Sequence, residues 1–442
     1  MADKRTIVPY ASLFIDASWL DVLAAVSMTI RSDHRENREQ IKRKLKDIFQ
    51  NFNNINDVIP CLSVRSGLDL YLRVKKYPMG SEVIMTSVNI PSMSAILEHH
   101  GLNVVPWDIL ISTLIPKVDT LKQIITQKTV AILIAHIYGR YSNIDDIISV
   151  AKQHNLDVIE DCAESFSGLE VLGNARADIS LFSFGIIKHS TAFGGSLVKV
   201  HDPDLADKMN ALHETYPLQS RYEYMKRVLK YAILMPFVNI PCITLYGSII
   251  ARELYPDYKE IFVHLLHSFP KDLIEKIRHK PSTALMFMMY RRLQQFNPKA
   301  FKEGMKKYEY LYKKLPNPSM IVGSENISAN YWLFPVLVSN PTKFIKILSK
   351  LGVDAYGDTT SLCVVTATDQ SDLRKTAPSS TLHPREAHSL MERVVYLPVH
   401  KRVSYHHLDN ICSALEIAME TLRSEEEQEK CTKLKLQFRS KL

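Results

Sequence analysis

The sequence predicts an α/β fold in which buried strands alternate with helices. Apolar runs at 130–135 and 179–184 have the length of strands that are covered on both faces. Helical patterns separate these runs, which indicates a mainly parallel sheet. The chain has 442 residues, of which 46% are apolar and 23% charged, and this is enough for a large core and two domains.

Charge and cysteine usage exclude several classes of protein. The net charge is +8, but acidic and basic residues are interspersed, so we expect a modest preference for phosphate-bearing ligands and no nucleic acid partner. The six cysteines form no CxxC or metal spacing, so we expect reduced thiols and no metal. The N-terminus lacks the apolar region of a secretory signal, which favours a cytoplasmic location. No P-loop or GxSxG motif occurs.

The N-terminal part predicts an anion site. An apolar helix is expected at Ala17–Thr29, a charged helix or exposed connection at Arg31–Lys46, and a strand at Val58–Val64. Ser66 and Gly67 then form a small-residue turn before a helical pattern. Unpaired N–H groups at such a helix start favour a phosphate. An ordinary strand-to-helix turn explains the same residues.

The next elements form a βαβ unit. A strand beginning at Val83, a helix at Ser92–His100 and a strand at Asn103–Trp107 follow each other. The apolar strand Val130–Ala135 comes next and ends at His136. We predict that His136 borders a substrate pocket, although a loop histidine without a catalytic role fits the pattern as well.

The segment Asp157–Val200 carries the chemistry. Its first strand ends at Asp161, and its second ends near Ser183, five residues before Lys188. A lysine beyond an apolar strand can lose its proton through desolvation, and the neutral amine forms an imine with an aldehyde. A carboxylate on the neighbouring strand can hold a cationic ring nitrogen. Together these groups indicate pyridoxal phosphate chemistry, although a single lysine is more often a solvated surface charge.

The order of these motifs resembles the pyridoxal-phosphate-dependent sugar aminotransferases of the DegT/StrS type. The segment IEDCAES is followed by ADISLFSF, three residues, a lysine, and then FGGSLV. The resemblance implies that Asp161 binds the pyridinium nitrogen and that Glu164 flanks the cofactor. It also implies that Ser183 binds the phosphate and that Lys188 forms the Schiff base.

The resemblance extends the predicted cofactor site beyond this segment. Ser66 and Gly67 fall where the family has a Ser-Gly-Thr turn. Asn89 falls near the position of an aromatic residue that stacks on the cofactor ring. Arg278 and Lys280 align with an Asn-x-Arg element that reaches the cofactor phosphate of the partner subunit. The chain departs from the family at the turn, at the aromatic position and before Gly194, where it has Ala-Phe instead of Gly-Glu.

The family has the fold type I architecture of pyridoxal-phosphate-dependent transferases. The resemblance therefore implies a mixed, mainly parallel seven-stranded sheet, a smaller C-terminal α+β domain and a homodimer with active sites at the subunit interface. We place the large cofactor-binding domain at 1–270, with an apolar insertion at 228–252. The interdomain helix and small domain, which includes the LPVH segment, then occupy 271–423, and a charged, disordered tail occupies 424–442.

The resemblance implies transfer of an amino group from a donor, commonly glutamate, to a keto-sugar linked to a nucleotide. Two alternatives remain open. The departures from the family could mark a degenerate member that binds the cofactor without transaminase activity. Alternatively, the uncharged segment Tyr231–Ala251, flanked by basic residues, could contact a membrane surface, although its prolines argue against a spanning helix. A dimer contact or a core insertion explains the same segment.

Overall fold

A computed structural model of the chain describes residues 7–31, 35–50, 57–246, 272–326, 328–329, 333–357, 361–368 and 383–439. Within these ranges the strands, in chain order, are β1 (Asp57–Cys61), β2 (Glu82–Thr86), β3 (Val88–Asn89), β4 (Asn103–Trp107), β5 (Thr129–Ala135), β6 (Arg140–Tyr141), β7 (Asp157–Asp161), β8 (Ile179–Ser183), β9 (Ser196–Val200), β10 (Ser328–Ala329), β11 (Phe334–Leu337), β12 (Cys363–Val364) and β13 (Val394–Leu397).

The helices of the same ranges are α1 (Trp19–Ile30), α2 (Arg35–Gln50), α3 (Val64–Lys75), α4 (Pro91–His99), α5 (Val118–Ile124), α6 (Asp145–Gln153), α7 (Pro203–Glu214), α8 (Arg221–Asn239), α9 (Leu273–Ile277), α10 (Thr283–Gln294), α11 (Pro298–Lys314), α12 (Pro341–Lys350), α13 (Arg385–Arg393) and α14 (Tyr405–Arg439).

The main sheet confirms the predicted fold class. It has seven strands in the order β1-β9-β8-β7-β5-β2-β4. Strand β9 runs antiparallel to both of its neighbours, and the neighbouring pairs from β8 to β4 are parallel. The carboxyl ends of β5, β7 and β8 therefore lie side by side at one edge of the sheet.

Helices cover both faces of this sheet. On one face, Leu68 of α3 and Met93 of α4 share a core with Val198 of β9. On the other face, Ile147 of α6 packs in a core with Ile84 and Ile132. Because both faces are covered, the strands are buried along most of their length and carry mainly apolar residues rather than an alternating pattern.

The C-terminal part has its own core. Strands β11 and β13 form an antiparallel pair, and Phe334 packs with Phe344 of α12 and Ile411 of α14. Val8 joins this core, and its N–H donates to the carbonyl of Gly352 at 3.0 Å. The domain boundaries stay a prediction. Val8, near the start of the chain, packs in the C-terminal core, so the chain contributes to this core from both of its ends.

Two expected elements differ from the sequence prediction. The interdomain helix, expected at the start of the segment 271–423, is divided into α9 and α10 around Pro281, which cannot continue a helix from the preceding residues. The predicted disordered tail is instead helical as far as Arg439. Its glutamates are helix formers, and Glu427 pairs with Arg423 one turn earlier, at 3.2 Å.

Helix α8 includes most of the described part of the apolar segment. The helix continues through Pro236 and ends at Asn239, whose amide exchanges two hydrogen bonds with the backbone of Ile15. The outer face of α8 leaves Ile233 69% exposed. No described helix is both long and apolar enough to cross a membrane. Residues 247–251 of the predicted segment lie outside the described ranges.

Candidate active site

Asp161 and Lys188 lie at the same edge of the main sheet. Asp161 is the last residue of β7, and it stands opposite Leu181 of the neighbouring parallel strand β8. Strand β8 ends at Ser183, and a short loop leads to Lys188. Burial raises the pKa of the Asp161 carboxyl, and the nearby positive charge of Lys188 opposes this increase.

Asp161 is a buried carboxyl group, and one of its two oxygens accepts a hydrogen bond. Its Oδ1 accepts a hydrogen bond from Ala163 N at 3.0 Å, and among the described residues no other donor reaches the side chain. Burial raises the pKa of Asp161 to about 6, against the opposing effects of the Ala163 hydrogen bond and the charge of Lys188. The second oxygen can therefore accept from a cationic N–H, which would favour the ionised carboxylate.

Lys188 forms an ion pair with Glu164. Its Nζ lies 3.0 Å from Glu164 Oε1, and Glu164 Oε2 accepts from Tyr138 N at 2.9 Å. Tyr138 has a positive φ of 56°, a strained conformation for a non-glycine residue that is common at functional sites. The amine of Lys188 therefore faces a carboxylate rather than an apolar wall.

The loop after Lys188 is held in an unusual conformation. Phe193 has a φ of 61° and lies directly before Gly194 and Gly195, which also have positive φ. The amides of Ala192 and Gly194 both donate to the carbonyl of Phe184 at 3.1 Å. Burial of the Phe193 ring and these hydrogen bonds hold a conformation that glycine would adopt without strain.

The predicted anion turn is displaced by three residues. Helix α3 starts at Val64, and Ser63 is its N-cap, with its hydroxyl accepting from Ser66 N at 3.2 Å. Ser66 and Gly67 lie inside the helix and are buried. A Cβ at Gly67 would lie 2.5 Å from Val198 Cγ2, so this glycine permits close packing of α3 on β9. The sequence prediction of Ser66 and Gly67 as the turn is corrected accordingly.

Two arginines that sequence reasoning missed lie at the start of α3. Arg65 is in the first turn of α3, and Arg227 comes from α8. Arg227 Nη1 lies 2.7 Å from the position that a Cβ of Gly194 would take, so the glycine leaves room for the guanidinium. Burial and the charge of Arg227 both lower the pKa of Arg65. Positive charge is therefore concentrated at a helix N-terminus, which attracts anions.

His136 does not extend into a pocket beside Lys188. Its ring is buried, its Nε2 lies 3.0 Å from Glu160 Oε1, and it packs against the ring of Tyr141. The other Glu160 oxygen accepts from Asn174 N and from the hydroxyl of Ser180. The prediction of a pocket histidine is corrected: His136 belongs to a buried network that fixes the strand bearing Asp161.

The remaining predicted residues have other partners. Asn89 is buried, and its Oδ1 accepts from Ile90 N at 2.7 Å, while its Nδ2 has no partner among the described residues. Arg278 makes two 2.9 Å hydrogen bonds to Asp69 of α3. Lys280 lies 3.0 Å from Glu214. These contacts do not bring Arg278 or Lys280 to Lys188 of the same chain.

Lys188 also lines a cavity of about 360 Å³. Its walls come from the N-terminal segment at Phe14–Asp21, helices α10 and α11, and the turn His400–Arg402. The turn follows the LPVH segment of the sequence. The cavity gives Lys188 access to a molecule of substrate size.

Comparison with known proteins gives one family. The DegT/DnrJ/EryC1/StrS aminotransferase family matches residues 21–233. An L-glutamine:2-deoxy-scyllo-inosose aminotransferase of Streptomyces fradiae is 28% identical over 205 residues, which are 45% of this chain and 47% of the relative. A dTDP-3-amino-3,6-dideoxy-alpha-D-galactopyranose transaminase of Aneurinibacillus thermoaerophilus is 32% identical over 173 residues, which are 37% and 46%. The chain spans about half the length of these relatives.

Solved structures extend the likeness to the whole fold. The aminotransferase TlmJ from Streptoalloteichus hindustanus has a TM-score of 0.63 at 15% identity, covering 93% of this chain and 100% of that one. E coli GDP-4-keto-6-deoxy-D-mannose-3-dehydratase with bound hydrated PLP has a TM-score of 0.65 at 15% identity, covering 92% and 100%. These neighbours confirm the predicted fold type I architecture.

Proposed function

We propose that the chain is a pyridoxal-phosphate-dependent aminotransferase of the DegT/DnrJ/EryC1/StrS family, whose model matches residues 21–233. The amino group would pass from a donor such as glutamate to a keto-sugar linked to a nucleotide. The observation that carries the proposal is the pair of Lys188 and Asp161 at the ends of adjacent strand segments in one buried site. A chain without a cofactor has no evident need to bury Asp161.

The side chains present fit pyridoxal phosphate. Asp161 has a buried carboxylate oxygen available for the ring N–H, and Lys188 has the amine that would hold the aldehyde. Ser183 and the positive start of α3, with Arg65 and Arg227, would take the phosphate. When bound, pyridoxal phosphate supplies an electron sink that stabilises negative charge on a substrate carbon.

Within this proposal, Lys188 and Glu164 handle the proton. Lys188 Nζ can accept a proton from the substrate carbon and return it on the other side of the reaction. Glu164 Oε1, 3.0 Å away, orients the amine and can stabilise its protonated form. Asp161 would remain ionised beside the ring nitrogen, because that N–H satisfies the buried carboxylate.

We also propose that Ser66, Gly67 and His136 support the site without touching the cofactor. Their described contacts are with Ser63, Val198 and Glu160, as given above. Asn89 keeps the predicted cofactor role, since its buried Nδ2 would gain a partner from a bound ligand. Arg278 and Lys280 could serve a partner subunit only if they release Asp69 and Glu214.

We propose a homodimer in the cytoplasm as the working assembly. Helices α1 and α8 leave Leu20 68%, Leu23 64% and Ile233 69% exposed, an apolar surface that a second copy would cover. A lipid surface is the rival partner for the same face. Light scattering should give twice the monomer mass, whereas flotation with liposomes that is lost on Ile233→Glu would identify the membrane as the partner.

The aminotransferase proposal is tested with the purified chain loaded with pyridoxal phosphate. Addition of L-glutamate should release 2-oxoglutarate and remove the visible absorbance of the bound cofactor. Nucleotide-linked keto-sugars are then screened for recovery of that absorbance. If the cofactor binds but a panel of amino donors leaves its spectrum unchanged, the chain is a degenerate cofactor-binding member and the proposed activity is wrong.

A further inference from the structure

The cavity beside Lys188 has a strongly cationic lining. Arg291 and Arg292 of α10 and Lys401 and Arg402 of the turn all line the cavity. Asp21 accepts from Arg291 at 3.1 Å and from Arg292 at 2.9 Å. The carboxylates of this cavity therefore offset part of the positive charge. A ligand anion would bind to a cation that does not already pair with a carboxylate.

Arg402 is the cation whose described partners are uncharged. Lys401 pairs with Asp16, which also accepts from Arg292. Arg402 Nη1 instead donates to the carbonyl of Asn239 at 3.0 Å, and its guanidinium lies 5.2 Å from the ring centre of Phe14. Among the described residues no carboxylate pairs with Arg402, so its charge is available to an anion.

His400 provides a neutral donor in the same wall. Its ring stacks on Phe14 at 4.7 Å, and its Nδ1 accepts from Arg402 N at 3.3 Å. The hydrogen of the neutral ring is therefore on Nε2, which is buried and has no partner among the described residues. Burial lowers the pKa of His400 to about 3, so the ring remains uncharged at neutral pH.

We propose that Arg402 and His400 bind an oxyanion group of the substrate in this cavity. The ligand class is a carboxylate or a phosphate ester, since both offer the planar or tetrahedral oxygen acceptors that a guanidinium and an imidazole N–H recognise. The inference rests on the proposed function, because it treats the cavity of Lys188 as the substrate site. It assigns substrate recognition to the turn after the LPVH segment.

Calorimetric titration of the full chain, after incubation with pyridoxal phosphate, tests the site. UDP probes the phosphate source, and glutarate probes the carboxylate source without an amino group that could react. Arg402→Gln removes the charge, and His400→Phe keeps the aromatic stack on Phe14 while removing the donor. Arg423→Gln is the matched control, because Arg423 is 83% exposed on α14.

We expect Arg402→Gln to weaken binding of one probe by about tenfold or more, and His400→Phe to weaken it by a smaller factor. Loss confined to UDP identifies a phosphate site, and loss confined to glutarate identifies a donor carboxylate site. If each probe binds wild type, Arg402→Gln and Arg423→Gln with the same affinity, the proposal is overturned. The visible absorbance of the cofactor is recorded on the same samples. If UDP binding depends on Arg402 in samples that show no bound cofactor, the aminotransferase proposal is refuted and the anion site is kept.

Discussion

Glu164 joins Lys188 to the backbone of Tyr138. One carboxylate oxygen lies 3.0 Å from Lys188 Nζ, and the other accepts from Tyr138 N at 2.9 Å. The acid thus connects the loop after β8 with the strained loop after β5 across the intervening strand β7. Lys188 is positioned by a charge-assisted hydrogen bond before any ligand arrives.

Glu164→Gln should speed the reaction of Lys188 with pyridoxal phosphate. The amide keeps a hydrogen-bonding oxygen but removes the ion pair that holds Lys188 Nζ, so the amine is held less tightly and reaches the aldehyde more readily. Stopped-flow absorbance at neutral pH measures the rate. Glu170→Gln, a second glutamate of the chain beyond β7, is the control, and a slower reaction for Glu164→Gln would contradict this role of the carboxylate.

Asp161→Asn should stabilise the cofactor-free protein at high pH. The pKa of Asp161 is about 6 in the folded chain, above the ordinary 3.8, so the ionised carboxylate costs stability above pH 6. The cost is roughly 3 kcal/mol for a shift of about two pH units, and it disappears as the pH falls below 4. Urea unfolding should therefore favour the variant at pH 8 and give equal free energies of unfolding near pH 4.

The same substitution should weaken cofactor binding, because the amide cannot balance a protonated ring nitrogen. Asp119→Asn, an exposed carboxylate of α5, controls for a general effect of charge. The pH dependence of other buried groups, such as His213 with its pKa lowered by burial to about 4, cancels in the comparison of variant with wild type. A stability difference that does not change with pH would show that Asp161 is not the source.

Gly67→Ala should destabilise the fold by about 1–3 kcal/mol. The added Cβ would lie 2.5 Å from Val198 Cγ2 and 3.3 Å from Leu181 Cδ2, and α3 would have to move away from the sheet. Gly304→Ala in α11 is the control, since its nearest neighbour is 3.8 Å away and alanine favours a helix by up to about 1 kcal/mol. Equal free energies of urea unfolding for the two variants would contradict the packing role of Gly67.

Arg227→Gln should weaken binding of pyridoxal phosphate by about tenfold, through loss of one charged contact with the phosphate. Lys226→Gln removes the adjacent charge of α8, which is exposed, and should leave the affinity unchanged. Spectroscopic titration gives both affinities. If pyridoxal, which lacks the phosphate, shows the same loss as pyridoxal phosphate, Arg227 acts through the fold and not through the phosphate.

The shared position of the central residues at one sheet edge could be predicted from the sequence because it is local. Asp161, Ser183 and Lys188 lie within one segment, and buried parallel strands necessarily place the residues that follow them at one edge. The α/β class followed from the same apolar runs. The resemblance of residue types to a known family then supplied the role that we propose for each side chain.

Other features depend on contacts between distant parts of the chain. Nothing local distinguishes Ser63 from Ser66 as the helix cap, because both precede the same helical pattern; the hydrogen bond from Ser66 N settles it. Arg227 is on α8, distant in sequence from Gly194, and the fold brings the two residues together. The ion pair of Lys188 with Glu164 likewise required the relative position of two strand ends.

The most direct test is chemical identification of the lysine that holds the cofactor. The purified chain is incubated with pyridoxal phosphate, reduced with borohydride, digested and analysed by mass spectrometry. We predict a single major pyridoxyl-phosphate modification on Lys188, together with loss of visible absorbance in Lys188→Arg and its retention in Lys152→Arg. Modification spread over surface lysines, with an unchanged spectrum for Lys188→Arg, would contradict the proposed active site.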